Sequence, residues 1–224
     1  MKLLSITSLL LVSTLLSSKK NIDYPFYKPA IIVELLPGEL VHLKNNLVTI
    51  KGDPKVVACK YGNALQFNGK TDGLFLDQMP LSSLTRFTVE VLFCPSAGGK
   101  FEQRLLHMGE IRENRVLLEI RSTSTDWYFD AFIKSGDQKK TLIDSSLLHP
   151  LNQWYHLAYV NDNGKLITYI NGNKELESQI IMTPIQTGKT SIGVRQSEQS
   201  WFNGMIYKIR ITPKALKPSH FLQY

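Results

Sequence analysis

Asn152-Gln-Trp-Tyr-His-Leu-Ala-Tyr-Val-Asn-Asp-Asn-Gly-Lys-Leu-Ile-Thr-Tyr-Ile-Asn-Gly172 decides how this chain folds. Apolar and aromatic runs lie either side of Asn163-Gly164, the residue pair that supplies the positive φ of a tight hairpin turn. A second turn, Asn171-Gly172-Asn173, ends the return strand. Further out, Gly188-Lys-Thr-Ser-Ile-Gly193 and Trp201-Phe-Asn-Gly-Met-Ile-Tyr-Lys-Ile-Arg-Ile211 repeat the plan. Strand-like runs are predicted at 64–67, 73–76, 87–93, 104–108, 115–121, 127–134, 154–160, 165–170, 190–194 and 205–211. Turn signals separate them, among them Gly52-Asp53-Pro54, Ser135-Gly136-Asp137 and Asn203-Gly204. That spacing is the signature of an all-β, antiparallel two-sheet β-sandwich. No helical period is sustained, and only residues 213–221 suit a helical turn.

The runs resemble, in order, the laminin-G-like (LamG) branch of the concanavalin A-like lectin/glucanase superfamily. Trp154, His156 and Ala158 follow its "W-x-H-x-A" strand, and Tyr169, Asn171 and Gly172 its "Y-x-N-G" return strand. Phe202, Gly204 and Ile206 follow its late "F-x-G-x-I" strand. Gly62-Asn-Ala-Leu-Gln-Phe-Asn-Gly69 is similar to "G-x-A-L-x-F-D-G", Phe87-Thr-Val-Glu-Val91 to "F-T-V-E-x-W", and Pro213-Lys-Ala-Leu216 to the closing "x-x-A-L". The resemblance covers about residues 60–221. It implies a jelly-roll sandwich with Trp154 in its core, and it says less about function, because such sandwiches host lectins, enzymes and adhesion modules alike.

Length and composition agree with a single domain. The chain has 224 residues, 43% hydrophobic and 20% charged, enough for one sandwich core. Residues 60–224 form the LamG-like sandwich, and 19–59 supply a proline-bearing lead-in with the first strands. Its apolar run Ala30-Ile-Ile-Val33 suits an edge strand. Residues 1–18 read as a secretory signal peptide: a basic start at Lys2, an apolar run over 3–16, then Ser17-Ser18. The run is shorter than the roughly 20 residues of a membrane span, so no transmembrane segment is expected and the protein is read as secreted or periplasmic. Export leaves Cys59 and Cys94 either paired or as two separate thiols. The net charge of +7 is scattered, with adjacent basic pairs only at Lys19-Lys20 and Lys139-Lys140. A nucleic-acid binder concentrates its basic residues, so no nucleic-acid partner is expected. An acidic polysaccharide or ordinary solubilising charge both fit.

Candidate chemistry is sparse. The family often holds calcium, and Asn68 and Asp72 offer hard oxygens. Tyr207 stands where the resemblance would bring a carboxylate, and turn chemistry alone explains Asn68 and Asp72, so no cofactor is expected. Retaining glycosidases need two carboxylates about 5–5.5 Å apart; the family's "E-x-D-x-E" strand is absent, and Glu175-Leu-Glu177 follows a turn. Glu119-Ile-Arg121 and Tyr128-Phe-Asp-Ala131 look like the "E-[LV]-R" and "Y-F-K-A" strands of alginate lyases. Only six residues separate them, the "Q-I-H" strand is missing, and Asp130 replaces the lysine.

What remains is a polar surface. Period-two alternation sets Glu119 and Arg121 on one strand face. With Arg104, His107, Asp130, Arg195 and Trp201 they are expected to line the concave face and bind a ligand. Planar arginine and carboxylate groups suit sugar hydroxyls, and an aromatic ring stacks on a pyranose. Cross-strand ion pairing on an exposed sheet is the structural alternative. The expected function is therefore an exported, non-catalytic, lectin-like module for a polysaccharide or surface glycan. A polysaccharide lyase or hydrolase-type enzyme, and a protein-binding adhesion or scaffold module, are the alternatives.

Overall fold

Alternation of apolar and polar residues assigns each strand a core face and an outward face, and the two sheets meet on the core faces. The computed structural model describes residues 33–35, as backbone, and 48–224. The expected signal peptide, most of the lead-in and residues 30–32 of its apolar run lie outside the described residues.

In chain order the strands are β1 (Val33–Leu35), β2 (Val48–Lys51), β3 (Lys55–Cys59), β4 (Gly62–Asn68) and β5 (Gly73–Leu76). Then come β6 (Arg86–Pro95), β7 (Glu102–Gly109), β8 (Arg115–Ser122), β9 (Asp126–Ser135) and β10 (Gln138–Ile143). The last are β11 (His149–Pro150), β12 (Tyr155–Asp162), β13 (Lys165–Ile170), β14 (Asn173–Gln179), β15 (Lys189–Ile192) and β16 (Asn203–Thr212). Where a helical turn was expected, a single 3₁₀ turn spans Pro218–His220. No helix among the described residues is long and apolar enough to cross a membrane.

One sheet runs β14-β13-β12-β6-β16-β4-β3, with β1 also pairing β16; the other runs β10-β9-β8-β7-β15-β5-β2, with β11 also pairing β9. Neighbouring strands are antiparallel throughout the described ladders, as between β8 and β9 or β6 and β12. The stretch from Asn152 to Gly172 forms β12 and β13. Asn163 takes φ 56° and Gly164 φ 95° in the turn between them, and the Gly164 amide donates to Asn161 Oδ1 at 2.8 Å.

The core is filled from both sheets. Phe67, Val89, Val91, Phe93, Leu157 and Tyr159 from the first sheet meet Leu106, Met108, Leu118, Ile120, Ile133 and Ile192 from the second. The buried tryptophan is Trp127, 0% exposed, with its ring 5.2 Å from Phe93 and 5.1 Å from Tyr155. Trp154 departs from expectation. It stands just before β12 and is half-buried, and its ring edge meets Tyr61 at 5.3 Å. Cys59 and Cys94 are separate thiols, and burial pushes Cys94 up to about 11.

Candidate functional site

Pairing register brings the predicted polar residues together on the outward face of the second sheet. Asp130 lies beside Glu119 and Tyr128 beside Arg121 across β8 and β9. On the other side β7 sets Arg104 beside Glu119 and Glu102 beside Arg121. Arg121 is the hub. Its Nε and Nη2 donate to Asp130 Oδ2 at 2.8 and 2.5 Å, and its Nη1 donates to Glu102 Oε2 at 2.5 Å. Nη2 also lies 3.4 Å from Glu119 Oε2. Arg104 closes the ring by pairing with Glu119 and, at 3.2 Å, with Glu102. Ser200 Oγ donates to Glu102 Oε1 at 2.7 Å.

This network is mostly out of reach of solvent. Arg104, Glu119 and Asp130 are 1%, 4% and 2% exposed, while Arg121 keeps 18% of its side chain accessible. Burial lowers the Arg104 guanidinium to about 9. Burial also raises the Asp130 carboxyl, against the pull of Arg121 and Arg104. At Glu102 burial raises the carboxyl too, but bonds from Arg121 and Ser200 prevail and hold it below the ordinary range. Arg104 Nε and Asp130 Oδ1 are buried without a hydrogen-bond partner among the described residues. The pairs therefore offset their desolvation only in part, which makes them a weak net stabiliser as a group and a costly one to break singly.

The loop between β15 and β16 packs against β7. The Arg104 amide donates to Ser200 O at 2.8 Å. Gln196 Nε2 donates to the carbonyls of His107, Gly109 and Lys189. Arg195 is half-buried on this loop. Trp201, also half-buried, lies against β5, where a Cβ on Gly73 would sit 2.4 Å from Val194 and 3.3 Å from the indole.

His107 is a structural residue here. It is 0% exposed; Nδ1 accepts from the Gln196 amide at 3.3 Å and Nε2 donates to Glu110 O at 2.9 Å. Burial is the main reason its imidazolium is lowered from 6.5 to about 4, with nearby arginines adding to the effect. The fold thus holds the neutral ring. Its stabilisation is full above pH 6.5 and lost as pH falls towards 4. Unfolding free energy is expected to drop by about 3 kcal/mol over that window. Denaturant titrations of wild type and His107→Gln check this: the variant's pH slope should flatten, and equal slopes would remove His107 as the cause.

The calcium candidates are absorbed by backbone. Asp72 Oδ1 accepts the Asp53 amide at 2.9 Å and Oδ2 the Asn68 amide at 3.0 Å. Asn68 Oδ1 accepts the Lys70 and Thr71 amides, both at 2.9 Å. No group of three or more His, Cys, Asp or Glu placed to hold a metal ion occurs among the described residues.

The first sheet has a buried charge knot that the sequence reading missed. Glu90, 0% exposed, accepts from His156 Nε2 at 3.0 Å, Arg210 Nε at 2.6 Å and the Leu222 amide at 2.6 Å. Burial raises its carboxyl, but these bonds outweigh that and hold it below its ordinary value. The legible signal was a lone carboxylate inside the apolar run Phe87-Thr-Val-Glu-Val91.

A family model described as the concanavalin A-like lectin/glucanases superfamily matches residues 68–220. No curated protein matches the chain by sequence. Among solved structures it is similar to domain 4 of AbnA, a GH43 extracellular arabinanase from Geobacillus stearothermophilus, in complex with arabinotriose. That match has 22% identity and a TM-score of 0.62 over 83% of this chain and 93% of that one. The heptameric SAP-like pentraxin from Limulus polyphemus matches at 19% identity and TM-score 0.56 over 68% of this chain and 76% of that one. The binding domain of botulinum neurotoxin serotype D matches at 18% and 0.59 over 77% of this chain and 44% of that one. Identities this low establish the fold alone.

Proposed function

This chain belongs to the concanavalin A-like lectin/glucanase superfamily, and from that premise we propose that it is an exported, non-catalytic carbohydrate-binding module. The observation that carries the reading is the edge of the ion-pair network. Arg121 is fixed by three carboxylates yet partly exposed, with the Phe101 ring 5.8 Å from its guanidinium. Phe101 is 58% exposed and lies 6.5 Å from the Tyr128 ring. A rigid planar donor beside an open aromatic face suits sugar hydroxyls on one side and sugar C–H groups on the other. Arg104, Glu119 and Asp130 then act beneath that surface as its support, and the loop between β15 and β16 borders it at Ser200, which donates to Glu102. Two structures of similar fold are consistent with this: an arabinanase domain in complex with arabinotriose, and botulinum neurotoxin type C, whose cell entry is dependent upon interaction with two ganglioside molecules.

Catalysis finds less support. Glu119 and Asp130 are both tied to arginine, so neither is a free acid or nucleophile. A lyase needs an arginine to neutralise a uronate and a nearby base; Arg121 already holds three carboxylates, and both His107 nitrogens are engaged.

The test is affinity gel electrophoresis of the mature chain against neutral and acidic polysaccharides. One polymer is expected to retard the protein, and Phe101→Ala to lose about tenfold in affinity at unchanged melting temperature. EDTA is expected to leave retardation unchanged. Free migration through every gel, or full binding by Phe101→Ala, would move the reading to a protein-binding scaffold. New ultraviolet absorbance from an unsaturated sugar would make it a lyase.

A further inference from the structure

The outward face of the second sheet has an end that the Phe101 surface does not use. Register sets His107, Leu117 and Phe132 side by side across β7, β8 and β9. Arg115 stands two residues before Leu117 on the same strand face, its guanidinium carbon 4.8 Å from the Phe132 ring centroid. Its Nη1 donates to the carbonyls of Arg112 and Glu113. From the opposite side the loop after β15 reaches the His107 ring, through the Gln196 amide. That contact brings Arg195, the residue before it, to the same end of the sheet.

The backbone at Arg195 is fixed. Its amide donates to Gln199 O at 3.0 Å, and the Glu198 amide donates to Arg195 O at 2.8 Å. Glu198 and Ser200 hold φ at 58° and 53° in this turn, a region that non-glycine residues occupy at a cost. What Arg195 lacks is an acceptor. Its Nε is buried without a hydrogen-bond partner, and no carboxylate among the described residues pairs with its guanidinium. Arg115 Nε is orphaned in the same way. Glu198 pairs instead with Lys51, Glu113 with Lys134 and Asp77 with Lys189.

Charge makes the missing acceptor matter. Burial lowers the Arg104, Arg115 and His107 cations, and the Arg195 charge lowers all three further. Arg195 thus adds repulsion to a face whose carboxylates are already taken by Arg104 and Arg121. A half-desolvated cation with no counter-ion costs the fold stability and attracts an anion. A guanidinium is a planar fork that accepts two oxygens of one oxyanion at once. Arg195 and Arg115 both stay partly open to solvent, so an incoming group can reach them.

We propose that Arg195 and Arg115 form an oxyanion subsite, which takes a carboxylate or sulfate group carried by an acidic glycan. The occupant rests on the carbohydrate reading above; the subsite does not. The experiment titrates isotope-labelled mature protein with sodium sulfate, methyl β-glucuronide and methyl β-glucoside at constant ionic strength. It follows the arginine side-chain N–H signals and the Gln196 amide. Sulfate, the glucuronide or both are expected to move the Arg195 and Arg115 signals, and the stronger of the two identifies the group. The neutral glucoside should leave them in place. Arg195→Gln is expected to weaken anion binding about tenfold, the lower end for hydrogen bonds to a charged group. Its melting temperature should hold or rise, because a repelling charge is gone, whereas a purely structural arginine would lower it. Unmoved arginine signals, equal shifts with the glucoside, or full anion affinity in Arg195→Gln would overturn the proposal. Retardation by neutral polysaccharides without any anion response would remove the subsite and keep the Phe101 surface. Anion shifts with free migration through every gel would uphold the subsite and remove the glycan as its source.

Discussion

Arg121→Ala is expected to lower folding stability by about 3–5 kcal/mol, the range for removing one partner of a buried ion pair. Asp130 and Glu119 are under 5% exposed, and the substitution strips Asp130 of the cation bonded to it. Burial already raises the Asp130 carboxyl, so without Arg121 it meets the loss by taking up a proton. A raised carboxyl favours the fold at low pH and loses that contribution as pH rises through the folded value. The damage should therefore be smaller in mild acid than at neutral pH. Asp130→Ala added to Arg121→Ala should recover part of the loss, because the stranded charge is gone. Urea unfolding of the wild type, the two single variants and the double variant measures all of this. A loss below about 1 kcal/mol would show pairs screened like ordinary surface bridges.

Glu90→Ala is the second large effect, expected at about 3 kcal/mol or more. One fully buried carboxylate satisfies a histidine, an arginine and the Leu222 amide, so its removal orphans three donors at once. Leu222 lies in the segment that covers the first sheet, and the break should free residues 213–224 before the sandwich melts. Hydrogen exchange at the Leu222 amide reads this directly. Faster exchange with other core amides unchanged is expected, and unaltered exchange would sink the idea. Glu90→Gln keeps the shape and should cost less. The folded carboxyl sits below its ordinary 4.5. Its contribution is thus complete above that pH and lost as pH falls through the lower folded value, and the glutamine variant should lack that acid limb.

The sandwich was legible because its strands are half-buried and alternate. β5 and β13 fall on the predicted 73–76 and 165–170. The strands missed are those whose own pattern says little. β10, Gln138-Lys-Lys-Thr-Leu-Ile143, buries only Leu142, and β14, Asn173–Gln179, buries none of its side chains fully. Their register is imposed by β9 and β13, not by their own composition. The polar cluster was legible as a set, since alternation places Glu119 and Arg121 on one face. Its closure was not, because Ser200 reaches Glu102 across 98 residues of sequence. Trp154 was misplaced for a related reason. A conspicuous tryptophan in a strand motif reads as core, yet the core slot belongs to Trp127, and Trp154 packs instead against the Tyr61 ring.

The pairing of β1 with β16 has a consequence for how the protein is handled. Val33, Glu34 and Leu35 sit opposite Ile211, Arg210 and Ile209, on the flank of β16 that β4 covers only from Asn203 to Ile206. A chain trimmed to begin at residue 48 would leave those backbone donors and acceptors facing water. An uncovered strand edge templates another chain. The three-residue β1 thus works as a guard against self-association, and a trimmed chain should show its loss first as dimers and aggregates by light scattering, with the sandwich itself still folded.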